Sequence, residues 1–125
     1  MAVINLASNQ VIAENVKIAD SFWPRLKGLM GIKSISEDFA LHLIPCTSIH
    51  TFFMKFPIDV LYLDQKNNIV GMEENLQPGK IGKKFSHAHS VIELHAGKVA
   101  QTGMTVGQTL TIVDMEGKLS KRVVQ

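Results

Sequence analysis

Short apolar runs alternate with polar turn signals along most of the chain, the pattern of a domain built mainly from strands. Residues 3–6 make the first run, and Ala7-Ser8-Asn9-Gln10 supplies a turn. Residues 11–19 read as one strand, with Val16 and Ile18 alternating against Asn15, Lys17 and Asp20. Ser21 then fits the N-cap of a short helix. Pro24 falls in its first turn, where a missing N–H is no loss, and Gly28 is a stop. Residues 40–44 form a strand closed by Pro45. Residues 58–63 and 69–72 make the clearest hairpin, joined by Asp64-Gln65-Lys66-Asn67-Asn68. Residues 75–88, with Pro78, Gly79 and Gly82, are the longest irregular stretch, the kind that often carries function. A further strand covers 89–94, a Gly-bounded connection runs from Gly97 to Gly107, and residues 109–113 and 119–124 predict a closing hairpin.

Seven or eight short strands leave few edges open only if the sheet folds on itself. The expected fold is therefore mainly β: one domain over residues 1–125, a β-sandwich or barrel-like closure with one short N-terminal helix. There is no internal repeat, low-complexity tract or linker.

Composition changes this picture little. With 46% hydrophobic and 19% charged residues the chain is ordinary for a globular protein and too apolar for disorder. A net charge of +2 is too weak to argue for nucleic acid. The single cysteine excludes an internal disulfide and points to a reducing compartment, so a cytoplasmic location is expected. Residues 1–6 have no basic start and Asn5 interrupts the apolar run, unlike a signal peptide. No apolar stretch approaches the ~20 residues of a membrane span, and no membrane partner is expected.

The segment from Cys46 to Asp64 concentrates the chemistry. Eleven of its nineteen positions are apolar, yet it carries Cys46, His50, Lys55, Asp59 and Asp64. Charges in so apolar a run need partners if buried, so they mark a polar site or a buried network. Beyond Pro57, Asp59 shares a strand face with Leu61 and Leu63, while Ile58, Val60 and Tyr62 point the other way. Asp59 then reads as a carboxylate accepting backbone N–H groups or pairing with Arg25, or alternatively as a pocket residue. Farther on, Val91, Glu93 and His95 share a face opposite Ile92 and Leu94. Glu93 reads either as solvent-facing or as the partner of Arg25 or Lys55 at a pocket mouth. Arg25 is the natural carrier of a bidentate carboxylate or anion contact.

Four motifs in series resemble the uncharacterised bacterial and archaeal family DUF192. They are Arg25-Leu26-Lys27-Gly28-Leu29-Met30, His50-Thr51-Phe52-Phe53-Met54-Lys55-Phe56-Pro57-Ile58-Asp59, Val91-Ile92-Glu93-Leu94 with Ala96-Gly97, and the run from Gly103 to Leu110. Their order and spacing cover roughly residues 14–113, most of the chain. Family members commonly have Trp-Met-Lys-Asn-Thr where this chain has Phe53-Met54-Lys55-Phe56-Pro57, so the Asn-Thr pair is absent here. The resemblance implies a β-sandwich-like fold and brings no established activity.

Other chemistry is weaker. Cys46 and His50 stand four apart, but Pro45 and the β-type residues that follow disfavour the helical geometry that would join them. His87-Ala88-His89 puts two imidazoles on one strand face, and two ligands do not make a metal site. Lys80, Lys83 and Lys84 read as a solvated loop. No phosphate loop or dinucleotide fingerprint occurs, and no cofactor or metal is expected. The favoured function is a small soluble binding or accessory module. Its polar pocket is built from His50, Lys55, Asp59, Arg25 and Glu93, with Phe52, Phe53 and Phe56 as walls, and its partner is a small molecule or a protein. The alternative is a small hydrolase or isomerase using His50 or Asp59 as general acid or base.

Overall fold

Residues 1–114 are described by a computed structural model with eight strands and two short helices. The central strand, β5 (Ile58–Leu63), explains the rest of the architecture. All six of its residues are buried, so both its faces need cover. It lies between β6 (Ile69–Leu76) and β7 (Ser90–His95) in a five-stranded sheet of order β3-β4-β7-β5-β6. Strand β3 (Asn15–Ala19) pairs parallel with β4 (Phe39–Leu43), and the other neighbours pair antiparallel. A parallel pair needs a crossover. Residues 20–38 supply it and carry the helix α1 (Phe22–Lys27).

A second, three-stranded antiparallel sheet, β2-β1-β8, combines Gln10–Ala13, Ala2–Asn5 and Leu110–Val113. Its Val3, Ile12, Leu110 and Ile112 pack with Leu61, Leu63, Ile92 and Leu94 of the larger sheet. Val99, on the helix α2 (Lys98–Thr102), and Met104 complete this core. The opposite face of the larger sheet has a separate core. There Leu41, Leu43, Val60, Tyr62 and Val91 meet Leu29 from the crossover and Ile49 and Met54 from the loop after β4. Both cores follow the two-residue period of the strands. Phe85 packs over Gly71 on β6 and tilts against Tyr62 at 4.6 Å, so a Cβ at Gly71 would collide with its ring.

The fold is mainly β, with two separate sheets and no closed barrel among the described residues. Three expectations need correction. Residues 11–19 are not one strand: the chain turns at Glu14, whose N–H donates to Asp38 Oδ1 at 2.9 Å, and β2 and β3 enter different sheets. The helix at 22–27 is joined by a second, α2, too short to show a helical period. Strand β6 runs on to Leu76, four residues farther than the alternation suggests. The expected strand at 119–124 lies outside the described residues. No described helix is long and apolar enough to cross a membrane.

Candidate functional site

Glu93 is the starting point. Its position on β7 sends its side chain, like that of Val91, to the face covered by the crossover. It is 2% exposed, and its Oε1 has no hydrogen-bond partner among the described residues. An unmet buried acceptor is rare and costs about 1–3 kcal/mol. Burial pushes the carboxyl up to about 8, so Glu93 holds its proton at neutral pH. Glu93 is thus neither solvent-facing nor partnered by Arg25 or Lys55.

Glu93 lines a cavity of about 280 Å³. The crossover closes one side through Arg25, Gly28 and Leu29, and the loop after β4 closes the other through Cys46, Ile49, His50 and Met54. The crossover chain passes the acid at Gly28: a Cβ there would stand 3.7 Å from Glu93 Oε1, an ordinary van der Waals contact, so backbone conformation and not space calls for a glycine. Gly28 also ends α1 at φ 48°, and its N–H donates to Pro24 O at 2.9 Å. Arg25 is half-buried and donates from Nη1 to Pro45 O at 3.2 Å.

Two more cavity residues are held locally. His50 Nδ1 accepts the Phe52 N–H at 3.1 Å, and its ring stacks on Phe52 at 5.1 Å. Cys46 Sγ donates to Ser48 O at 3.2 Å, and burial raises its thiol. Its hydrogen bond is therefore to a carbonyl and not to His50. The walls are mainly aliphatic, from Leu29, Leu43, Ile49 and Met54. The expected aromatic walls lie elsewhere. Phe53 is 77% exposed at φ 63°, Phe52 is 40% exposed, and Phe56 packs in the second core.

Asp59 occupies the opposite face. It is fully buried, and Oδ2 accepts the N–H groups of Gly97 at 3.1 Å and Val99 at 2.8 Å. Oδ1 accepts that of Asn75 at 2.9 Å. The carboxylate therefore ties the start of α2 and the end of β6 to the middle of the sheet. Lys55 is exposed and lies outside the cavity lining. Arg25, Glu93 and His50 are brought together; Asp59 and Lys55 are not.

A buried pair that the sequence pattern did not single out joins β4 to β7. His42 Nε2 lies 3.0 Å from Ser90 Oγ. Burial first, and the nearby His89 second, depress the imidazole to about 4. His87 is exposed at φ 68°, and His89 flanks an open groove with Asp64 and Asn68. No group of three His, Cys, Asp or Glu among the described residues is arranged to hold a metal.

The family model of DUF192, described as an uncharacterised ACR, matches residues 3–112. The chain belongs to the DUF192 family. A UPF0127 protein of Thermococcus sibiricus is 30% identical over 112 residues, covering 86% of this chain and 72% of that protein. A protein of unknown function from Novosphingobium aromaticivorans has the same fold at a TM-score of 0.78 and 15% identity, over 89% of this chain and 82% of its own. A candidate transcription regulator of Sinorhizobium meliloti aligns at a TM-score of 0.73 and 24% identity, over 87% of this chain and 88% of its own. These two likenesses concern the fold alone. DUF192 is a family without an assigned function, and no comparison favours an enzyme.

Proposed function

We propose that this DUF192 chain is a small-molecule binding module whose site is the cavity between the α1 crossover, the loop after β4 and Glu93. The observation that carries this reading is the Glu93 carboxyl, buried, without a partner at Oε1, and set in the lining of an aliphatic cavity. A folded protein keeps such a group at a cost, and a ligand that supplies the missing hydrogen bond recovers it. His50 and Arg25 add polar groups at the same cavity. Asp59 belongs to the scaffold in this reading, because its oxygens already accept three backbone N–H groups.

The same proposal reads the two sheets as one sandwich-like domain, supported by the core they share. It places the protein in the cytoplasm, in keeping with its single cysteine, and expects no nucleic-acid partner at a net charge of +2. Methyl-resolved NMR of the full chain during a screen of small polar and amphiphilic compounds tests the reading. Binders should shift Leu29 and Met54 together, and Glu93→Gln should weaken them. A screen in which no compound moves those methyls would overturn it.

A further inference from the structure

We propose that the cavity takes a small zwitterion, an α-amino acid with an aliphatic side chain, its ammonium set against Glu93 and its carboxylate against Arg25. This rests on the binding reading above and names the occupant.

Two groups of opposite kind line one cavity without meeting each other. Arg25 carries five N–H donors and uses one of them on Pro45 O. Glu93 leaves Oε1 unmet. A cation alone would satisfy Glu93 but would also feel Arg25 and the neighbouring Lys27, both in the lining. An anion alone would engage Arg25 and leave the buried acid without a donor. A zwitterion answers both, and Arg presents a planar fork suited to a carboxylate. The walls from Leu29, Leu43, Ile49 and Met54 suit an aliphatic side chain. At about 280 Å³ the cavity falls just below the usual ~300–1,000 Å³ of small-molecule sites, so its occupant is small.

Binding carries a proton balance. The titratable and charged groups around Glu93 are Arg25 and Lys27 from α1, Cys46 and His50 from the loop after β4, and Tyr62 from β5. The Glu93 carboxyl releases its proton to solvent as the ligand ammonium docks, leaving a carboxylate opposite the cation. No bond forms or breaks in the ligand. Affinity should therefore rise with pH from about 6 to about 8, the range in which Glu93 gives up its proton.

The test is a methyl NMR titration of the full chain with L-leucine, isopentylamine, 4-methylpentanoate and the neutral isopentanol. Leucine should bind at least ~10-fold more tightly than the amine or the acid and shift Leu29 and Met54, as expected for two charge-assisted contacts. Glu93→Gln should bring leucine down to the level of the acid, and Arg25→Gln to the level of the amine. Each variant should keep the methyl spectrum of a folded chain; if one does not, the pH series on the wild type decides. An amine or acid that matches leucine, or an affinity that falls from pH 6 to pH 8, overturns the zwitterion. If isopentanol shifts the cavity methyls and leucine does not, the zwitterion fails while the binding reading survives. If none of the four shifts them, both fail.

Discussion

Asp59 and Glu93 stand almost side by side on adjacent strands, yet they have opposite fates. The β5·β7 register sets Val60 across from Glu93 and Asp59 across from Leu94, so the two carboxyls leave the sheet on opposite faces. Both are at most 2% exposed. On one face α2 begins directly over the acid and turns two N–H groups onto it, with Asn75 giving a third. On the other face the crossover passes Glu93 with a glycine and gives Oε1 no donor. Burial alone therefore does not separate a structural carboxylate from one kept for something else. The supply of donors does.

The largest test of this contrast is to remove the satisfied acid. Asp59→Ala strands three N–H groups, that of Val99 buried and those of Gly97 and Asn75 part-buried, and should lower stability by about 3–5 kcal/mol in urea melts. A loss under ~1 kcal/mol would mean that water replaces the carboxylate easily and that the two faces differ less than their hydrogen bonds suggest.

Removing the unsatisfied acid should do the reverse. The Glu93 carboxyl is raised from 4.5 to about 8 by burial, so the folded state keeps a proton that the unfolded chain has released. Its contribution is most favourable below pH 4.5 and is lost progressively up to about pH 8. Glu93→Gln should thus raise stability by roughly 2–4 kcal/mol at pH 8.5 and change it little at pH 4.5. Equal melting shifts at both pH values would show that the acid is not held protonated.

His42 makes the opposite slope. Its imidazole is lowered from 6.5 to about 4, chiefly by burial, so acid protonates the unfolded chain first. Stability due to His42 is full above pH 6.5 and should fall by roughly 2–3 kcal/mol as pH drops to about 4. The His42 and Glu93 slopes oppose one another between about pH 4.5 and 6.5, where melts of the wild type should be nearly flat. A ring titration of His42 by NMR near 6.5 would contradict this.

The smallest effect belongs to a satisfied polar group on the Glu93 face. Tyr62 Oη donates to Glu73 Oε1 at 2.6 Å, and Glu73 Oε1 also accepts the Lys83 N–H at 2.8 Å. Tyr62→Phe should cost about 1 kcal/mol at pH 7, because the carboxylate keeps its backbone donor. A loss several times larger would show that this hydroxyl holds the loop after β6 over the second core.

The period-two alternation made the faces legible. Asp59 with Leu61 and Leu63 against Ile58, Val60 and Tyr62 follows from spacing, and so does Glu93 opposite Ile92 and Leu94. The bounds of α1 were also readable, from Ser21, Pro24 and Gly28. Other features depend on distant chain. The donors to Asp59 Oδ2 come from 38 and 40 residues away, and nothing around Asp59 announces them. The isolation of Glu93 is set by where Gly28 passes, which no local pattern encodes. Phe52 and Phe53 looked like pocket walls because their segment is apolar, whereas the aliphatic Leu29, Leu43 and Ile49 take that place. The split at Glu14 escaped because Val11 to Ala19 contains no Gly or Pro to mark it.

Leu29 is the one buried residue in crossover positions 20–38. Substitutions at the stretch's exposed lining positions Phe22, Leu26 and Lys27 therefore leave both cores intact while reshaping one wall of the cavity. Descendants of one ancestral chain can diversify what they recognise by drifting here, with the paired strands inherited nearly unchanged. Divergence in ligand preference among relatives should be written in the crossover before it is written anywhere in the sheets.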